Sequence, residues 1–344
     1  MNEPLTTILA RAAAIRRDGR VCAFCLVVAS RGSTPQEPGA LMLVDDAAST
    51  FGTIGGGCVE AEVRRAAFGL LASARSAPLR FRLNHDYGWD DGLICGGTLE
   101  LIVAPPPTPD RLDAVIADIN ARRATHLDLS IDAASAADAS AASGTKAVVQ
   151  SNYRLHIPPR DRLYIAGAGH VGQAVARLAL ALEFEVHVFD DRADLIEQHL
   201  PAGAIPVVGD IAERLADAPI DESTFCLVVT RGHRHDEQAL HAVVGRGAPY
   251  VGMIGSRRKV KLIFDDLAAM GVSPEALEQV HAPVGLDIGA VTVEEIGVSI
   301  AAQLVEVRRR SARKPVERIA GPDPFEPLRA DASGVSECGV NARG

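Results

Sequence analysis

A chain of 344 residues, 47% hydrophobic and 23% charged, is long enough for two globular domains that each bury a core of their own. Its net charge of −9 excludes nucleic acid and anionic membrane as expected partners, because no broad cationic surface is left to neutralise phosphates. With no export signal and no apolar run of membrane-spanning length, a cytoplasmic chain without stable membrane insertion is expected, its six cysteines present as thiols.

The first residues predict a helix opened by Pro4 and closed by Gly19, with Leu5, Ile8, Leu9, Ala12 and Ile15 inward. "RVCAFCLVVAS" follows as a β-branched, apolar strand. Its C-x-x-C, Cys22 and Cys25, invites a redox or metal reading. Residues three apart on a strand face opposite ways, however, so both read as core thiols, as does Cys226 in "FCLVVT". "ASRGSTPQEPGALMLV" then places Arg31, Ser33 and Thr34 on a loop stiffened by Pro35 and Pro38, a rigid polar loop suited to ligand contact or to a plain hairpin.

"FGTIGGGCVE" runs three glycines, Gly55 to Gly57, into Cys58 at the start of a helix expected over about 59–73. The frame recurs in "GLICGGTLEL": Gly52, Ile54, Gly56, Gly57 and Glu60 align with Gly92, Ile94, Gly96, Gly97 and Glu100, while the cysteine moves to Cys95. Two related loops near each other are expected, with Glu60 and Glu100 hydrogen-bonding loop N–H groups. A helix N-terminus favours thiolate at Cys58, and Gly96 and Gly97 let a bulky ligand approach Cys95. The alternative is that both cysteines are small buried residues in tight turns.

"APPPTPD" breaks the chain before a helix of about 111–123, and the low-complexity stretch 133–143 reads as a surface loop. A linker near 156–162 ends a first, mixed α+β domain, taken as residues 1–156. Residues 157–312 then alternate strands and helices, as a doubly wound, Rossmann-like parallel sheet does, and 313–344, rich in proline and poor in periodicity, are expected to be disordered in large part.

"LYIAGAGHVGQAV" places G-x-G-x-x-G at Gly167, Gly169 and Gly172 between a strand and a helix, with His170 opening that helix and Asp190 after the next strand. Gly167 allows the tight turn, Gly169 admits a phosphate to the backbone, Gly172 lets the helix pack on the sheet, and Asp190 is a candidate acceptor for a ribose or other hydroxyl pair. "VVTRGHRHDE" aims Arg231, His233, Arg234 and His235 at the same edge. "MIGSRRKVK" adds Arg257, Arg258 and Lys259 behind a predicted N-cap at Ser256. Three cations in a first helical turn oppose the helix dipole, a conflict that a bound anion relieves and that a solvated basic face tolerates. For the H-x-H at His233 and His235 no third ligand lies nearby in the sequence, and a metal is not expected there.

The blocks "SRGSTPQEPGALMLV", "GTIGGGCVEAEV", "CGGTLEL", "GAGHVGQAV", "TRGHRHDEQAL", "YVGMIGSRRK" and "PVGLDIGAVTVEEIGVSI", in that order, resemble the xanthine dehydrogenase accessory factor (XdhC/CoxI) family from residue 20 to about 310. The resemblance implies binding of the molybdenum cofactor, a phosphorylated pyranopterin with a dithiolene-held molybdenum. It also implies support of sulfuration together with a cysteine desulfurase, and delivery to an apo molybdenum hydroxylase of the xanthine dehydrogenase type. On that resemblance Cys95 is the first candidate to contact the cofactor, its sulfur or the molybdenum itself, and Cys58 the second. Such a factor is a chaperone more than a turnover enzyme. The alternative is an NAD(P)-dependent oxidoreductase with His233 or His235 as proton donor, and a homodimer is the default assembly.

Overall fold

A computed structural model of the chain describes residues 3–72, 75–82, 97–132, 150–311 and 315–330. The described residues of Met1–Pro159 and Arg313–Gly344 form one compact unit, and those of Arg160–Ala312 a second.

The first unit begins with helix α1 (Leu5–Arg17), followed by strands β1 (Cys22–Arg31), β2 (Leu41–Asp45) and β3 (Thr50–Gly52) and helix α2 (Gly57–Ala72). Strands β4 (Ala77–Arg82) and β5 (Thr98–Ala104), helix α3 (Pro109–Asn120) and strands β6 (Thr125–Asp132) and β7 (Gln150–Ile157) complete its main body. An antiparallel sheet runs β3-β2-β1-β5-β4, and β1 separates two cores because its side chains alternate. Cys22, Phe24 and Leu26 join Ile8, Leu9 and Ala12 of α1 and Leu112 and Val115 of α3. Ala23, Cys25 and Val27 face Val59, Val63 and Ala67 of α2. The C-x-x-C thiols therefore point into different cores, and burial pushes Cys22 up to about 11 and Cys25 to about 12, values at which neither is a nucleophile near neutral pH.

In the second unit β8 (Arg162–Ala166), α4 (His170–Ala181), β9 (Glu185–Asp190), α5 (Ala193–His199), β10 (Ile205–Val208) and α6 (Ile211–Asp217) form one half. The other half is β11 (Thr224–Val228), α7 (His233–Val243), β12 (Tyr250–Met253), α8 (Arg257–Ala269), α9 (Pro274–Glu278), β13 (Val280–His281) and α10 (Val293–Ser311). All six strands are parallel, in the order β10-β9-β8-β11-β12-β13. The order reverses between β8 and β11, which opens a crevice at the carboxyl edge of the sheet. Helices α4 and α10 cover one face through Val175, Ala179, Ile300 and Leu304; α7 and α8 cover the other through Leu240, Val243, Ile263 and Leu267. Helix α6 stands between β10 and β11. Successive parallel strands of one sheet need a crossover, here from the edge strand β10 back past β9 and β8 to β11, and Asp210 caps its helix by accepting from Glu213 N at 3.0 Å.

The expected disorder after residue 312 does not hold for 315–330. Strand β14 (Val316–Ala320) pairs with β7, making a three-stranded sheet β14-β7-β6, and helix α11 (Glu326–Ala330) follows it. Val316 and Phe325 enter the core that α1 and α3 cover. Backbone contact is equally close, since Ser151 Oγ donates to Pro322 O at 2.7 Å. Too few apolar residues stand in this segment to signal a fold of its own; what orders it is the unpaired edge of β7. Its Arg329 makes a two-pronged ion pair with buried Glu100, at 2.7 and 2.6 Å. Arg329→Ala is expected to lower the stability of the first unit by roughly 1–3 kcal/mol, the cost of leaving a buried acceptor short of its donors. Urea unfolding followed by circular dichroism checks this.

Candidate functional site

In the first unit the loop after β1 is the meeting point of both glycine frames. Gly55, Gly56 and Gly57 have φ of +118°, +74° and +65°, a left-handed run that turns the chain from β3 into α2. A Cβ on Gly55 would lie 2.6 Å from Pro35 Cβ, and one on Gly97 only 2.3 Å from Ser33 O and 2.9 Å from Arg31 O. Both frames thus press bare backbone onto residues 31–35, and Arg31 pairs in register with Thr98. Glu60 closes the first turn as expected: its Oε2 accepts from Thr53 Oγ1 at 2.7 Å and Gly56 N at 3.0 Å. Glu100 is engaged by Arg329 through both its oxygens, with Arg80 3.4 Å away, and the second turn lies outside the described residues. Arg31 and Ser33 are exposed, whereas Thr34 donates to Gln36 O at 3.0 Å. Cys58 is the second residue of α2, while its side chain, Cys95 and Gly96 lie outside the described residues.

The three glycines of the second unit each meet a different constraint. A Cβ on Gly167 would lie 2.6 Å from Val229 O, and one on Gly172 would lie 2.0 Å from Gly167 O, so β8, α4 and the end of β11 close together only without side chains. Over Gly169 there is open space, with no heavy atom within 4 Å of a Cβ position. Gly169 is also the N-cap of α4, and no side chain caps that helix. The first-turn N–H groups of α4 are thereby presented at the crevice beside exposed His170.

Several expected ligand residues turn out to hold the protein itself. Asp190, buried at the end of β9, accepts from Ala168 N at 2.7 Å, from Arg192 N at 3.0 Å, and from Arg192 Nε and Nη2 at 2.8 Å each. It is therefore not a free acceptor for ribose hydroxyls. Lys259 is drawn to the fully buried Asp236, which also accepts from Thr230 N at 3.0 Å and Thr230 Oγ1 at 2.6 Å. Arg231 pairs with Asp191 at 2.7 Å. The sequence pattern assigns these cations to a ligand and passes over Asp191, Asp236 and Thr230, although the "TRGHRHDE" block holds two of the three partners. Ser256 does cap α8, accepting from Lys259 N at 3.3 Å, and Arg257 and Arg258 stand exposed in a first turn that holds no acidic residue. His233 Nε2 lies 3.5 Å from Asp266 and 3.7 Å from Glu237.

Burial by itself would raise the Asp190 carboxyl. The Arg192 guanidinium and the two backbone N–H donors outweigh it and hold the group down at about 2. A folded value below the unfolded carboxyl's, about 3.9, means stability that is fully present from about pH 5 upward and is lost as pH falls through the unfolded and then the folded value. The second unit should therefore lose up to about 2 kcal/mol between about pH 5 and pH 2 through this group. Asp190→Asn should be less stable at about pH 5 and lose less on acidification, as read from urea midpoints.

Comparison with known proteins extends these observations along the chain. Residues 163–304 match the model of the XdhC Rossmann domain, and residues 15–82 that of the XdhC and CoxI family. The molybdenum cofactor insertion chaperone PaoD of Escherichia coli is 26% identical over 302 residues, which cover 88% of each chain. A protein of Bacillus subtilis described as a probable xanthine dehydrogenase subunit is 25% identical over 326 residues, 87% of this chain and 97% of that one. YqeB of Escherichia coli is 26% identical over 306 residues, 88% of this chain and 47% of its own, so the chain spans about half the length of that relative. A solved structure described as a xanthine dehydrogenase from Bacillus halodurans shares the fold, with a TM-score of 0.69 over 93% of this chain and 99% of that one at 21% identity. With both of its units matched in order, the chain belongs to the XdhC and CoxI family.

Proposed function

We propose that the protein is an accessory factor that binds the molybdenum cofactor, shields it, supports its sulfuration together with a cysteine desulfurase, and delivers it to an apo molybdenum hydroxylase of the xanthine dehydrogenase type. One observation carries this reading: the crevice offers an open phosphate cradle at Gly169 with exposed Arg257 and Arg258 on the same carboxyl edge, while Asp190, which a dinucleotide's ribose would need, is already filled by the chain. The donor set fits the phosphate of a pyranopterin, since N–H groups at a helix start and guanidinium forks are the groups that hold phosphate. PaoD, similar over 88% of both chains, is described as a molybdenum cofactor insertion chaperone.

When bound, the cofactor supplies a soft metal centre on sulfur ligands, with which thiolate is compatible. The chain's own part is to hold and orient. Gly169 and the first turn of α4 accept the phosphate, with Arg257 and Arg258 neutralising it. Cys95, on the segment that leads into Gly97, and Cys58, at the start of α2, are the thiols proposed for sulfur or metal contact. The dinucleotide alternative is weakened by the occupied Asp190 carboxylate.

The full chain, purified from a molybdate-fed host and oxidised, is expected to release about one fluorescent pterin, and Arg257→Ala with Arg258→Ala to lower that occupancy by about tenfold or more, the worth of charged hydrogen bonds to phosphate. Tight binding of NAD(P)H with no pterin would replace this reading with the dehydrogenase one.

A further inference from the structure

The sequence offers only an H-x-H pair for a metal, yet the fold supplies what that pair lacks. His233 and Glu237 are four residues apart on α7 and so share one face, and Asp266 comes to the same point from α8. One donor atom from each residue lies within 4.8 Å of both others.

We propose that His233, Glu237 and Asp266 form a binding site for a divalent first-row transition ion of the zinc type. The spacing is the argument. His233 Nε2 is 3.7 Å from Glu237 Oε2 and 3.5 Å from Asp266 Oδ2. Both separations are too long for hydrogen bonds. An ion bonded to nitrogen and oxygen at about 2.0–2.2 Å in a tetrahedral arrangement sets its ligands about 3.3–3.6 Å apart; the two His233 separations already lie close to that, and the two carboxylates, within 4.8 Å of each other, have to draw together by at most about 1.5 Å to close around an ion. One imidazole nitrogen with two carboxylates is a borderline donor set, better suited to zinc, cobalt or iron(II) than to magnesium or calcium, which take oxygen alone. Three protein ligands leave a fourth position for water or a ligand oxygen. A neighbouring ion pair, Lys259 on Asp236, ties the first turns of the same two helices together. His235, the other histidine of the H-x-H, is not part of the cluster.

The proposal does not depend on cofactor binding, and its test uses metal ions alone. The full chain, stripped with a chelator, is titrated with Zn2+ by calorimetry and with Co2+ by visible absorption, where thiolate ligation would announce itself by an intense near-ultraviolet sulfur band. One equivalent of each ion is expected, the Co2+ complex lacking that band. His233→Ala and Asp266→Asn should each weaken binding by roughly 100-fold, since loss of a direct ligand costs at least what loss of a supporting partner does. His199→Ala, an exposed histidine on α5, should bind as the parent does. Because the substituted side chains are exposed, the variants' melting in metal-free buffer serves as the control for folding, with Glu237→Gln as a milder third variant. Absence of stoichiometric binding in the parent chain, a sulfur band, or undiminished binding in the His233 and Asp266 variants would overturn the assignment.

Discussion

The Asp190 carboxylate joins the ends of β8 and β9 beneath the glycine turn. By accepting from Ala168 N it fixes the peptide between Gly167 and Gly169, and by clasping Arg192 it remains ionised although buried. Two properties of the proposed phosphate cradle follow from that bond. The turn is held in the one conformation in which α4 presents its N-terminus to the crevice, and the carboxylate is lost to any ligand hydroxyl. A motif that in isolation suggests a dinucleotide is thereby left with its phosphate half free and its ribose half closed.

A comparable economy governs the first unit. A left-handed glycine run and the bare backbone at Gly97 meet residues 31–35, where a side chain at Gly55 or Gly97 would collide. The two glutamates of the repeated frame then diverge in role. Glu60 satisfies the turn next to it, while Glu100 reaches across to the C-terminal segment through Arg329. Gly55 makes room for the Pro35 ring and Gly97 for the Ser33 carbonyl, so in both frames the missing side chain is what admits the residue 31–35 loop.

Each unit thus holds chemistry of a distinct kind. The second offers N–H donors and two exposed guanidinium groups at the carboxyl edge of its sheet, suited to anionic oxygen ligands. The first offers a left-handed glycine turn that leads into α2 at Cys58. The proposed accessory-factor role gives a use to both kinds of chemistry, where a dehydrogenase role uses only the second.

Periodicity and glycine placement sufficed, without coordinates, for the parallel alternation of the second unit, the cap at Ser256, the core thiols Cys22 and Cys25, and the roles of Gly167 and Gly172. Those features depend on residues close together in the chain, or on the absence of a side chain, and both are visible in a string of letters. Pairing over long separations is not. Arg329 meets Glu100, Lys259 meets Asp236 and Asp266 joins His233 only because strands and helices bring them together. The order of 315–330 likewise comes from the open edge of β7 and not from its own composition. The sequence by itself determined which backbone segments could form and where glycine had to stand; the tertiary structure alone decided which charges remain free, because a buried carboxylate takes whichever cation or N–H donor the fold delivers within about 3 Å.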